Sequence, residues 1–248
     1  MKKSLFPLKV RQEDFDEEKR YEKDGKELLF LEQFKALRAK FEYQLDMYKY
    51  KVVAVTSAIA EEGKTLTSAN LAANLASVGR KKVLLIDTDL RKSDIAQMFN
   101  TPPKPGLMEF LTGVVSFDTI IRSSNSVKGL YLIPGGEKGT APQDLLAGET
   151  FRSFLQEMRG KFDVVILDTP PILPVADTIS LRDQVDGFLL IFRIGFTPYV
   201  MLQQALEEIE NTKILGVVLN GVELQKYKYY QRYYGEYYQK GNSRKPSA

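Results

Sequence analysis

Three short runs in this chain carry residue types and spacings that could do chemistry on phosphate. The first, residues 57–65, reads Ser-Ala-Ile-Ala-Glu-Glu-Gly-Lys-Thr. In a loop of this kind the backbone N–H groups and the following helix N-terminus hold phosphate oxygens. The lysine reaches the β and γ phosphates and the hydroxyl binds Mg²⁺, places taken here by Gly63, Lys64 and Thr65. Ala58 stands where the general pattern has its first glycine, and Glu61 and Glu62 put carboxylates on a loop meant for anions. The second run, Asp87-Thr88-Asp89, sets two carboxylates at i and i+2 after Leu84-Leu85-Ile86, placed to share a metal-bound phosphate site. The third, Val165–Pro171, ends its apolar stretch on Asp168, where open α/β sheets bind ligands and where it would hold Mg²⁺ through a water. Singly, each aspartate reads as a cap or turn residue. In this order, together, they read as a nucleotide site.

The elements that must position these residues follow from apolar patterning. Lys51–Thr56, Lys82–Asp87, Gly129–Ile133, Val164–Asp168, Gly187–Phe192 and Ile214–Leu219 are continuous apolar runs of strand length. Helices are expected over Glu27–Met47, Thr65–Val78, Gly106–Thr112, Gln143–Leu146, Thr150–Arg159 and Thr197–Asn211. Buried strands alternating with helices imply an α/β fold, a mostly parallel sheet covered by helices on both faces. In the first helix Phe30, Phe34, Leu37, Phe41 and Leu45 fall at helical spacing and face a core, while Glu32, Lys35, Arg38 and Glu42 line another face. That charge row reads first as a solvated surface. No linker or repeat interrupts the chain, so one domain (27–224) is expected between a polar N-terminal arm (1–26) and a C-terminal tail (225–248).

Composition removes several alternatives. The chain has no cysteine and no histidine, which excludes disulfides, thiolate or histidine metal sites and Ser-His-Asp catalysis. A net charge of +3 gives no bulk signal for nucleic acid. No stretch approaches the ~20 apolar residues of a membrane span, and Met1–Arg20 lacks a secretory core, so a cytoplasmic protein is expected. The tail is unusual. Tyr227, Tyr229, Tyr230, Tyr233, Tyr234, Tyr237 and Tyr238 make seven tyrosines in twelve residues, among lysines and glycines. Buried phenols each need a hydrogen-bond partner, so an exposed, mobile tail is expected. It reads as a phosphoacceptor segment, as an aromatic contact surface, or as a strand continuing the fold.

Over roughly residues 27–240 the chain resembles the bacterial tyrosine kinases (BY-kinases) of capsule and exopolysaccharide systems, in the P-loop branch that also holds the MinD and ParA ATPases. The phosphate loop is similar over Ser57–Thr65, with Ala60-Glu61 where the family usually has Pro-Gly. Val83–Lys92 matches the second aspartate motif, with Ser93 in place of a usual proline, and Val165–Pro171 matches the third. Gly106–Gly113, Leu132–Gly136, Arg193, Gly195 and Thr197 are family-like as well. The resemblance implies ATP and Mg²⁺ as cofactors, with Glu62, Gly63, Lys64, Thr65, Leu66 and Asn220 on the nucleotide and Asn220 at adenine. It implies Thr65, Asp89 and Asp168 on the metal, and Lys64, Asp87 and Asp89 in catalysis, with Asp87 orienting and deprotonating the phenol. The tail tyrosines become sites of autophosphorylation.

The resemblance also implies a homo-oligomeric ring. The family's Glu-x-x-Arg-x-x-Arg pattern corresponds to Glu32, Lys35 and Arg38, where Lys35 keeps the charge but loses the bidentate fork. A separate membrane-bound polysaccharide co-polymerase as activator and a tyrosine phosphatase follow from the same likeness, with no nucleic acid. Two rival readings remain. One is a MinD-type ATPase switch that passes phosphate only to water. The extra lysine of those proteins has no counterpart in Ser57-Ala58-Ile59. The other is a silent regulatory module, to which the acidic loop lends weight.

Overall fold

The computed structural model describes residues 25–139, 141–209 and 213–222. Nearly all of the expected arm, and the whole tail with Tyr227, Tyr229, Tyr230, Tyr233, Tyr234, Tyr237 and Tyr238, lie outside them.

The described residues open on α1 (Gly25–Tyr48), followed by β1 (Val52–Ser57), α2 (Lys64–Ser77), β2 (Val83–Asp87), α3 (Ile95–Met98) and α4 (Leu107–Leu111). After these come β3 (Arg122–Ser123), β4 (Leu130–Ile133), α5 (Pro142–Ala147), α6 (Glu149–Lys161) and β5 (Val164–Asp168). The described residues close on β6 (Gly187–Arg193), α7 (Tyr199–Ile209) and β7 (Ile214–Asn220). The strands form one sheet in the order β3-β4-β2-β5-β1-β6-β7. All neighbours run parallel except β3, a two-residue antiparallel edge on β4. This is the expected α/β architecture.

Alternation within β1 explains why its sequence is apolar throughout. Val52 and Ala54 belong to the core under α4–α7, whereas Val53 and Val55 belong to the core under α1–α3. Every residue of β1, β2 and β5 is buried, as a doubly covered sheet requires. On one side the alanines of α2 (Ala69, Ala72, Ala73, Ala76) let that helix lie close, and Leu71 and Leu75 fill the gap. Each fully buried leucine contributes roughly 1.5–3 kcal/mol. α1 adds Phe41 and Leu45 to this core, with Leu37 partly buried against it, while Phe30 and Phe34 pair with each other at 4.9 Å. On the other side Phe151, Phe154, Leu155 and Met158 form the apolar stripe of α6.

The expected helices and strands form, with ends shifted by a residue or two. β3 and α3 have no counterpart in the sequence reading, because two- and four-residue elements are too short to show a period.

Candidate functional site

Strands β1, β2, β5, β6 and β7 deliver Ser57, Asp87, Asp168, Arg193 and Asn220 to one edge of the sheet. The phosphate loop springs from β1 there. Its start is tied to the segment after β5, since Ile172 N–H donates to Ser57 O at 2.9 Å and Leu173 N–H to Ala58 O at 3.2 Å. Ala58 is buried in the core, so its methyl takes no room from the loop and a glycine is not needed there. At the other end Gly63 has φ +90, and a Cβ there would collide with Asn220 Nδ2. Only glycine satisfies both conditions. The first intrahelical bond of α2 runs from Thr67 N–H to Gly63 O at 3.0 Å. The N–H groups of Lys64, Thr65 and Leu66 therefore stand at the helix start with no intrahelical acceptor, as an anion cradle requires.

The loop's acids do not obstruct this cradle. Glu62 is fully buried, and its carboxylate accepts from Ile59 N–H (2.8 Å), Thr197 Oγ1 (2.6 Å) and Arg193 N–H (3.1 Å). Its side chain is a brace between the loop and the β6–α7 connection, so it can give a nucleotide only its backbone. Glu61 is exposed, and its carbonyl accepts from Arg193 Nη1 at 3.0 Å. Asn220 braces the loop as well. Its Nδ2 donates to Glu62 O at 2.7 Å and its Oδ1 accepts from Gly221 N–H at 2.8 Å, leaving one N–H and one lone pair for a base.

The catalytic candidates converge beside the cradle. Lys64 Nζ lies 3.5 Å from Asp89 Oδ2, joining the phosphate loop to the loop after β2. Asp87 and Asp168 are register partners across β2 and β5, so their carboxylates share one strand spacing. Asp168 accepts from Ser68 Oγ at 2.9 Å. Asp87 Oδ2 accepts from Ser93 Oγ at 2.7 Å and Ile95 N–H at 3.1 Å, while Oδ1 takes a longer 3.2 Å bond from Asp89 N–H.

Burial, then the negative charge of Asp168, raises the Asp87 carboxyl well above its ordinary range. Burial also raises Asp168, to about 6, against the opposing pull of Lys64, Thr65 and Ser68. Three carboxylates and one ammonium leave this crevice short of positive charge. The donor set suits Mg²⁺: the Thr65 hydroxyl and the Asp89 and Asp168 carboxylates are the groups that would hold it, with phosphate and water supplying the remaining oxygens. Among the described residues no group of three or more carboxylates forms a cage that would hold a metal by itself.

Sequence reasoning did not single out Ser68, Arg91 or Asp177. Ser68 lies one turn beyond Lys64 on α2, so its helix position was the available signal. Arg91 Nε and Nη2 donate to the buried carboxylate of Asp177 at 2.7 and 3.1 Å, joining loops 86 residues apart in a contact that no local pattern announces. The α1 row lies outside the site. Lys35 pairs with Glu32 at 3.0 Å and Arg38 with Glu42, all within the helix.

Comparison with known proteins adds kinship to geometry. A family model described as an AAA domain matches residues 50–213. The chain is 36% identical over 206 residues to the tyrosine-protein kinase YwqD of Bacillus subtilis, covering 82% of this chain and 86% of that protein. It is 34% identical over 228 residues to the succinoglycan biosynthesis transport protein ExoP of Rhizobium meliloti, where the match takes in 87% of this chain but only 29% of the relative. Among solved structures, the kinase domain of the Escherichia coli tyrosine kinase ETK superposes with a TM-score of 0.73 at 30% identity, covering 77% of this chain and 75% of that one. With its phosphate loop, two aspartate strands and doubly covered parallel sheet, the chain belongs to the family of bacterial tyrosine-protein kinases built on a P-loop AAA domain.

Proposed function

We propose that this chain is an ATP-dependent protein-tyrosine kinase whose acceptors are its own C-terminal tyrosines, acting in exopolysaccharide or capsule synthesis. The observation that carries this reading is the approach of Lys64 Nζ to Asp89 Oδ2, beside a cradle that the loop acids leave open. Phosphoryl transfer needs charge neutralisation and in-line positioning, with little covalent help from the protein. Lys64 and the N–H groups of Gly63 to Leu66 hold the phosphates, and Thr65, Asp89 and Asp168 hold the metal. Bound Mg²⁺ supplies neutralisation of the β and γ oxygens. Asp87 orients the phenol and accepts its proton as the phenolic oxygen bonds to the γ-phosphorus and ADP leaves. A phenol titrates near 10 and an ordinary aspartate near 4. A loose transition state eases that mismatch, because the proton can leave late.

In this reading residues 27–224 are the catalytic unit, 1–26 an arm and 225–248 the substrate tail. The relative's name ties ExoP to succinoglycan biosynthesis and transport. For this chain we extend that to a place on the cytoplasmic side of a membrane, held by a separate polysaccharide co-polymerase and opposed by a phosphatase. Among the described residues no helix is long and apolar enough to cross a membrane.

The test is incubation of purified protein with Mg²⁺-ATP, followed by mapping of phosphate by mass spectrometry, alongside Lys64→Met and Asp87→Asn. Phosphotyrosine within residues 227–238, absent from both variants, is the expected result. ATP hydrolysis without modification would make the protein a nucleotide switch, and failure to bind nucleotide a silent module.

A further inference from the structure

Ser93 lies between β2 and α3, six residues beyond Asp87, and its hydroxyl is used twice. Oγ donates its one proton to Asp87 Oδ2 at 2.7 Å and accepts from the Gly135 N–H at 3.2 Å. The bridge joins the aspartate at the end of β2 to the Pro134-Gly135-Gly136 segment after β4. That segment is itself anchored. The carbonyls of Pro134 and Gly135 accept from Leu107 and Met108 N–H at 2.8 and 2.9 Å, at the start of α4. The fit at Gly135 is close, because a Cβ there would stand 2.9 Å from both Cβ and Oγ of Ser93. Proline, usual at this place in the family motif, could make neither bond.

The two oxygens of Asp87 are therefore unequal. Oδ2 is saturated by Ser93 Oγ and Ile95 N–H, and Oδ1 carries the longer contact from Asp89 N–H. We propose that Ser93 is a positioning residue for tyrosine phosphorylation: it pins Oδ2 of Asp87 against the segment after β4 and so reserves Oδ1 for the incoming phenol. Oδ1 takes the phenolic proton as the new bond to phosphorus forms and ADP departs. This inference rests on the kinase reading above. Ser93 acts through Asp87, so its removal lets the carboxylate turn without touching the phosphate cradle.

The experiment compares wild type with Ser93→Ala, Ser93→Thr and Gly135→Ala in two measurements. Initial rates of tail phosphorylation at varied ATP give kcat and KM, and NMR hydrogen exchange reports on the Gly135 amide. Ser93→Ala is expected to lower kcat about tenfold while KM for ATP stays within about twofold, as for an interaction made at the reacting group rather than in ATP binding. Its Gly135 amide should exchange at least about tenfold faster, since that N–H loses its acceptor. Ser93→Thr, which keeps the hydroxyl, should restore both, and Gly135→Ala should lower kcat from the other end of the bridge. Wild-type kcat in Ser93→Ala, a KM rise at constant kcat, or an unchanged Gly135 exchange rate would each overturn the inference. Absence of phosphotyrosine in the wild type itself would instead remove the kinase reading and with it the catalytic role of Ser93. The exchange rates would then decide the bridge alone.

Discussion

Asp168 sits fully buried beside Asp87, and its burial links the stability of the fold to pH. Burial raises its pKa from 3.8 to about 6. Between those values the folded protein holds a proton that the unfolded chain has released, so stability from this group falls as pH rises toward 6. Above that range Asp168 is a net cost to the protein without nucleotide or magnesium. Asp168→Asn should therefore stabilise that form at pH 7 by on the order of 1–3 kcal/mol, and the gain should shrink at pH 5. Urea unfolding at both pH values checks this, and a variant less stable than wild type at pH 7 would contradict it. In the proposed kinase the same variant should lose tail phosphorylation, because the charge removed is one of those assigned to hold the metal. Asp168, Asp87 and Asp89 were legible as chemistry from their places after apolar runs. Their hydrogen-bond partners were not, since Ser68 and Ser93 gain meaning only when helix and loop are folded against the strands.

At the scale of elements, the phosphate loop depends on β6, the connection that follows it and β7 as well as on β1 and α2. Glu62 takes three hydrogen bonds, one from Ile59 within the loop and two that join it to the end of β6 and the β6–α7 connection, and Asn220 at the end of β7 holds the loop through the Glu62 carbonyl. Glu62→Ala would leave Ile59 N–H, Arg193 N–H and Thr197 Oγ without their acceptor. The expected cost is about 2–4 kcal/mol in urea unfolding, with weaker binding of Mg²⁺-ATP measured by calorimetry. Unchanged nucleotide affinity would mean that the loop keeps its shape without the brace. From sequence the two glutamates of this loop read as a charge conflict. Strand ends distant in the chain turn one of them inward, and no local pattern contains that information. Strands and helices themselves were readable, because a sheet covered on both faces demands uninterrupted apolar runs. Among the described strands and α-helices, β3 and α3 escaped, being shorter than any period.

For the whole molecule, the proposed tail chemistry ties charge to assembly. From Lys226 onward six Lys or Arg face one Glu, and each phosphate would add roughly −1.5 to −2 charges. Phosphorylation of several tail tyrosines would thus convert a basic segment to a strongly acidic one. Side-by-side subunits would bring such tails close together, and like charges would repel. A phosphorylated sample should therefore sediment at lower mass than the unmodified one at the same concentration and at low salt, where screening is weakest. Equal masses in analytical ultracentrifugation would separate phosphorylation from assembly. The α1 row bears on the same question. Glu32 and Lys35 are partly exposed and, among the described residues, pair along the helix, a weak contact that a neighbouring subunit could replace. Lys35→Glu should lower the unmodified mass if that row is the interface.

The amino-acid order alone determined the fold class and marked the candidate reacting groups, because hydrophobic period and the types of side chain at strand ends are local properties of the chain. Tertiary structure alone decided that Glu62 turns inward, that Arg91 clamps Asp177, and that Ser93 links Asp87 to the segment after β4. Each of these depends on a hydrogen bond between side chains and loops that meet only when the sheet assembles.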